Sequence, residues 1–177
     1  MMNPEILEEM TTNTGKNLGE LTQDRAILLV FLRHFGCVFC KEALSDLAEQ
    51  RTSIEAKGTQ IVFVHMAAND IAEDYFKRYD LEGITHISDI DQRYYAAFGI
   101  TRGSFSQLYG LRTWTRGYAS SKRGGHKLEL AKHLGDSTQM PGLFLLKDRK
   151  IKHSYVHQYA SDRPDYEQLI SKCEREA

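Results

Sequence analysis

The chain is short of cysteine, proline and tryptophan: its 177 residues include 3 Cys, 3 Pro and 1 Trp. So few cysteines, odd in number, exclude a scaffold built from disulfides, and a chain of this length can fill one hydrophobic core without them. Long apolar runs are missing too. The longest, AILLVFL over 26–32, stops at Arg33, far below the roughly 20 residues a membrane-crossing helix needs. The opening MMNPEILEEM holds three Glu and no basic side chain, so no secretory or Arg-rich transit pattern is read there, and the expected location is cytoplasmic. Nor does one sign of charge dominate, with 23 basic and 24 acidic side chains. The expected partners therefore include neither nucleic acid nor membrane.

The charge is nonetheless sorted. Between Thr101 and Thr138 stand seven basic and two acidic side chains, so the remainder of the chain is acidic. A basic block of this kind can attract anions or nucleic acid, but it is read here as a solvated surface because only its middle is dense. Residues 1–24 read as an N-terminal arm, 25–177 as one domain, and 101–139 as a basic insertion too long for an ordinary connection, either a lid or a segment with helices of its own.

The rest alternates. AILLVFL has the aliphatic content of a strand buried on both faces. A helix follows over 38–57, with Cys40, Leu44 and Leu47 on one face and Gly58 placed to stop it. QIVFVH (60–65) is a second strand, and Asn69 is placed to cap the next helix. THIS (85–88) is a third strand, followed by a short helix capped by Asp89 or Asp91. Residues 142–157 divide about the charged turn 147–150, as in a hairpin, and a last helix spans 165–174. The order β-α-β-α-β-α, insertion, β-β-α defines an α/β fold with a central mixed β-sheet flanked by helices.

Cys37-Val38-Phe39-Cys40 falls where the central strand ends and the helix begins. An i, i+3 spacing in a first helical turn puts both sulfurs on one side, within reach of a disulfide. Unpaired N–H groups and the positive end of the helix dipole favour a thiolate at Cys37, the expected nucleophile and the more exposed of the two. Cys40, one turn deeper, suits the resolving role. Zinc would need two further ligands, and the third cysteine, Cys173, stands alone near the C-terminus, so no metal is expected.

The strand–Cys37-x-x-Cys40–helix unit, the three β-α units and a late Met140-Pro141 before a hairpin resemble the thioredoxin fold. FLRHFGCVFCKEAL (31–44), DQRYYAAFGI (91–100) and GDSTQMPGLFLL (135–146) are similar to the AhpC/TSA-like, or peroxiredoxin-like, family, and the resemblance covers about residues 20–170. It implies a cis bond before Pro141, with the insertion preceding that strand, and a substrate surface formed by Met140, Pro141, Gly36 and His34. The chain departs from the peroxiredoxin motif Pro-x-x-x-Thr-x-x-Cys, with Val30 and His34 at the Pro and Thr positions. Thioredoxin's Trp before the first Cys and Gly-Pro between the pair are replaced by Gly36 and Val38-Phe39.

Strand alternation allows only one of Arg33 and His34 to face the cysteines. Arg102, Arg112 and Arg116 are candidates for the guanidinium that polarises a peroxide bond, and equally for surface charges. The function read from these residues is a thiol-disulfide oxidoreductase cycling Cys37 and Cys40 between dithiol and disulfide. A peroxide or a protein disulfide would be the oxidising substrate, an external thiol the reductant, and no cofactor is called for. The alternative is a non-catalytic thioredoxin-fold binding or redox-sensing module that uses the basic insertion.

Overall fold

The computed structural model describes residues 5–124 and 132–174. At its centre β1 (Ala26–Phe31) runs parallel to β2 (Thr59–His65), which runs parallel to β3 (Thr85–Ser88). On its other side β1 pairs antiparallel with β4 (Gly142–Lys147), and β4 with β5 (Lys150–Val156), giving the order β3-β2-β1-β4-β5. Parallel neighbours require crossovers, here α3 (Val38–Ala56) and α4 (Asn69–Arg78). The turn between β4 and β5 places Asp148 and Arg149 at φ 52° and 59°, the left-handed pair that closes a two-residue hairpin.

The aliphatic composition of β1 follows from its position, because successive side chains enter different layers. Leu28 and Val30 pack with Leu44, Leu47 and Phe76 on the α3/α4 side, whereas Ile27, Leu29 and Phe31 pack with Leu7, Leu18 and Tyr95 on the other. The sheet is mixed and covered on both faces, as the α/β alternation requires.

Two local expectations are revised. Residues 5–24, read as an arm with one short helical patch at PEILEEM, carry α1 (Ile6–Glu9) inside that patch and also α2 (Leu18–Asp24), and the arm is packed down, with Leu7, Met10 and Leu18 fully buried. Helices this short draw their stability from packing and not from propensity, so their sequence signal is weak. Between them Asn13 acts almost as an added strand residue: its N–H donates to the His86 carbonyl, its Oδ1 accepts the His86 N–H, both at 2.9 Å, and its Nδ2 donates to the Ile84 carbonyl. Secondly, Asn69 is the first residue of α4, and Ala68 holds the cap position. Of the two readings of the insertion, helices of its own is the one its described part shows: it contains α6 (Phe105–Tyr109), α7 (Leu111–Gly124) and a 3-10 turn (Lys132–Leu134). Lys127 and Glu129 of the basic block lie outside the described residues.

Of Asp89 and Asp91, it is Asp89 that serves the start of α5 (Arg93–Ala97): Gln92 holds the N-cap position, and the Asp89 carboxylate, three residues before it, accepts the N–H groups of Arg93, Tyr94 and Tyr95. Tyr95, thus oriented, donates its hydroxyl to the Leu32 carbonyl at 2.6 Å and lies 3.0 Å from that of Val64. That bond fixes the exit of β1, from which the cysteines hang. Tyr95→Phe leaves these buried carbonyls short of a donor, at a cost of about 1–2 kcal/mol. The expected result is a lower urea midpoint with an unchanged slope, and an unchanged midpoint would show that the hydroxyl stabilises nothing.

Candidate functional site

Cys37 takes the N-cap position of α3 with extended backbone (φ −74°, ψ 132°), and Cys40 lies in the first turn. Both are free thiols and both are buried, each 3% exposed. The expected contrast in exposure is therefore absent, because residues after β1 are covered from two directions. The Phe35 N–H donates to the Leu134 carbonyl, and α7 lies across α3, where a Cβ at Gly117 would stand 3.5 Å from the Phe39 ring.

Strand alternation left Arg33 and His34 open, and the geometry resolves them. Arg33 Nη1 donates to Cys37 Sγ at 3.0 Å, Nε donates to the Gln139 carbonyl at 3.2 Å, and Nη2 to the Ser137 carbonyl. The side chain is only 5% exposed. A planar guanidinium suits this task, since its fork serves three acceptors in one plane. His34 makes no such contact among the described bonds. It is buried beside Met66 and Gly135, and burial, reinforced by the Arg33 charge, holds its pKa down at about 4. It is neutral near pH 7 and supplies no charge to Cys37.

The two sulfurs differ in electrostatics. Burial pushes the Cys40 thiol well above its ordinary range, and the neighbouring Cys37 adds to the shift. Cys40 is thereby held protonated until it is called on, while the cation stands against Cys37.

Other candidates lie elsewhere. Arg102 pairs with Asp136 at 3.0 Å, Arg112 with Asp162 at 3.5 Å, and Arg116 with Glu42 at 3.0 Å. Each has a carboxylate partner, and none has a described bond to a cysteine. The Cys37 N–H donates to the His34 carbonyl at 2.9 Å, so this amide is not a free donor for a substrate oxygen. Gly36 is buried in the turn that makes this bond possible.

Among the described residues no peptide bond is cis, so Met140–Pro141 is trans. An X–Pro bond keeps a trans preference of about 0.5–1 kcal/mol, and the neighbouring bonds here are made with the trans form. The Met140 N–H donates to the Thr101 carbonyl, and its side chain is buried with Leu108 in the layer containing Phe31. Met140 therefore offers no open main chain for substrate pairing. Gln139, which sequence reasoning missed, explains the order of this segment: its buried amide bridges the carbonyls of Ile100 and Thr101 while its own carbonyl receives Arg33.

Pro141 does reach the site. With Phe39, Cys40, Leu143, His157 and Tyr166 it lines a narrow cavity of about 30 Å³, room for about two waters. Cys40 forms part of this wall, backed by the bidentate Arg163–Asp46 pair at 2.6 and 2.8 Å. A larger cleft of about 700 Å³ lies at the starts of β1, β2 and β3, lined by Arg25, Thr59 and Thr85. That is the end of the sheet opposite the cysteines, and its size carries no chemistry. Among the described residues no cluster of His, Cys, Asp and Glu could hold a metal ion, and no helix is long and apolar enough to cross a membrane. The Cys173 side chain lies outside the described residues.

A dithiol at the start of the helix after the central strand of a five-stranded mixed sheet defines a thioredoxin-fold thiol protein. The chain is 24% identical over 163 residues to the chloroplastic thioredoxin-like protein AAED1 of Arabidopsis thaliana, covering 88% of this chain and 65% of that one. It is 37% identical over 89 residues to the Bos taurus peroxiredoxin-like 2C, covering 48% and 37%. It thus spans less than two thirds of either relative. Among solved structures, a peroxiredoxin 6 mutant of Arenicola marina superposes with TM-score 0.62 at 11% identity, over 93% of this chain and 67% of that one. A thiol:disulfide interchange protein DsbE from Chlorobium tepidum gives 0.57 at 17% identity, over 92% and 89%. No protein-family model matches. The chain thus has the thioredoxin fold, and its sequence is similar to thioredoxin-like and peroxiredoxin-like proteins.

Proposed function

We propose that the protein is a thiol-dependent oxidoreductase in which Cys37 attacks a peroxide or a disulfide and Cys40 resolves the product. The observation that carries this reading is the 3.0 Å contact between the buried Arg33 guanidinium and Cys37 Sγ. A cation fixed against one sulfur of a dithiol promotes the thiolate, the form that acts as nucleophile. It also speaks against a vestigial pair, which would need no buried cation.

With a peroxide, the Cys37 thiolate attacks one oxygen and the O–O bond breaks; the other oxygen leaves, takes up a proton and departs as water or an alcohol, Cys37 becomes a sulfenic acid, and the Cys40 thiol condenses with it, releasing water and forming the disulfide. With a disulfide, attack gives a mixed disulfide that Cys40 displaces. The raised Cys40 pKa keeps that thiol from competing in the first step. An external thiol returns the pair to the reduced state, and the cytoplasmic setting read from the sequence belongs to this proposal. Of the expected substrate surface, only Pro141 adjoins the cavity beside Cys40. Arg33 takes the electrostatic role considered for Arg102, Arg112 and Arg116.

Mass spectrometry after peroxide treatment tests the cycle: the peptide holding both cysteines should lose 2 Da reversibly, reflecting removal of two hydrogens. Cys40→Ser should instead give a stable adduct at Cys37, and a freely turning-over variant would reject Cys40 as the resolving thiol. Absence of any oxidised form of the wild-type peptide would reject the proposal as a whole.

A further inference from the structure

Size alone assigns nothing to the cleft of about 700 Å³ at the starts of β1, β2 and β3, but its lining does. The cleft exists because the strands begin at different levels. β3 starts at Thr85, opposite Val62, so Thr59, Gln60 and Ile61 of β2 have no strand on that side, and Gln60 Nε2 donates to Thr85 Oγ1 at 2.9 Å across the gap. The floor is apolar, formed by the buried Ile61, Ile84 and, from the last helix, Ile170. Thr59 is only 3% exposed, and its hydroxyl adjoins the cleft without a described partner.

The sheet register brings cations to the same place. Ala26 pairs with Thr59, and the pairing of Ile27 with Leu146 sets Lys147 opposite Ala26, so Thr59, Ala26 and Lys147 form one row across three strands, with a small residue in the middle. Arg25 precedes that row. Arg25 and Lys147 both line the cleft, and neither has a carboxylate within ion-pair distance among the described residues. Like charges held together at a sheet end repel, and an anion between them removes the repulsion. Arg51 and Lys57 also reach the cleft: Arg51 is tied to Glu55 through Nε at 2.9 Å, and Lys57 lies a loose 3.8 Å from Glu167. Against these four cations the lining holds two carboxylates, Asp24 and Glu55.

We propose that this cleft binds a small organic phosphate of mononucleotide size. Its phosphate lies between Arg25 and Lys147, with the Thr59 hydroxyl as a further donor, and its apolar body covers Ile61, Ile84 and Ile170. Guanidinium and ammonium groups are the side chains suited to phosphate oxygens, and the volume is that of a small-molecule site. The six residues of β1, at about 3.3 Å each, separate the cleft from the cysteines by about 20 Å. Binding is therefore independent of the thiol cycle.

The test is calorimetric titration of the full chain at pH 7 and low salt with three probes: adenosine monophosphate, inorganic phosphate and adenosine. The monophosphate should bind, inorganic phosphate more weakly for want of the apolar contact, and adenosine not at all. Arg25→Gln combined with Lys147→Gln, both outside the core, should weaken the monophosphate by about 10- to 100-fold, the loss of one or two charge-assisted contacts. No monophosphate binding at millimolar concentration, an affinity unchanged in the double variant, or inorganic phosphate or adenosine binding as tightly would each overturn the proposal. Amide shifts of the wild type on titration decide the matter even if the double variant does not fold. Thr59 and Gly83 at the cleft should move while Gly36 and Cys37 stay, and the reverse pattern would overturn the site.

Discussion

Cys37→Ser reduces oxidation of the protein by peroxide or by a disulfide substrate to background, an expected loss of more than about 10³-fold, in keeping with removal of other activated nucleophiles. The serine hydroxyl is far less acidic than a thiol, and a single guanidinium at 3.0 Å from the sulfur position cannot ionise it near neutrality. Peroxide consumption by the reduced protein, followed in stopped flow, is the measurement. Comparison with Cys40→Ser gives the result its meaning: that variant consumes about one equivalent and stops, because attack survives and resolution is lost. Retention of full activity in Cys37→Ser would move the nucleophile elsewhere and dissolve the role given to Arg33.

The second large effect is acid instability. Burial holds His34 and His157 at about 4 and His65 at about 3; His86, hydrogen bonded to His65 at 2.9 Å, is also lowered by burial. In the unfolded chain each returns to about 6.5. Between that value and the folded one the unfolded state binds the extra proton, so stability is intact above about pH 6.5 and falls as the pH drops toward 4. Each group contributes up to about 1.4 kcal/mol per pH unit, and three together erode a total of about 5–15 kcal/mol within two to three units. Asp89, whose pKa is raised by burial, opposes this trend but is a single group. Urea midpoints at pH 7, 6 and 5 should decline progressively, and a flat series would show that the buried histidines find partners when charged. The effect reaches the site, since a protonated His34 sets a second cation beside Arg33.

Much of the frame is local in the sequence and was legible there. The apolar run 26–32, the Cys-x-x-Cys at its end, Gly58 and the charged hairpin turn each state their conformation within a few residues. The peroxiredoxin-like resemblance rests on the same segments. What escaped is long-range or ambiguous by symmetry. A period of two says that Arg33 and His34 face opposite ways, but not which way the strand is turned. That choice is made by the carbonyls of Ser137 and Gln139, more than 100 positions downstream. The pairing of Asp46 with Arg163 spans a similar distance and leaves no local pattern. Arg102, Arg112 and Arg116 looked available because their carboxylate partners are scattered in sequence. The expected cis bond failed for a related reason: the position of Pro141 before β4 is correct, but hydrogen bonds from Met140 and Gln139 to the Thr101 carbonyl hold the path of the chain there.

The two borders of the sheet are treated differently, and the difference bears on how this chain meets others. Along β3 the outer hydrogen bonding of His86 is already taken by Asn13, so the segment between the first two helices acts as a short false strand. Along β5 no further strand pairs with the outer row among the described residues, yet that strand carries Lys150 and Lys152 and is bent by a register shift opposite Leu145 and Leu146. Charge and a bulge are the devices that keep an exposed border from recruiting a neighbour's strand. With one margin occupied and the other guarded, edge-to-edge zippering of one sheet onto another is discouraged.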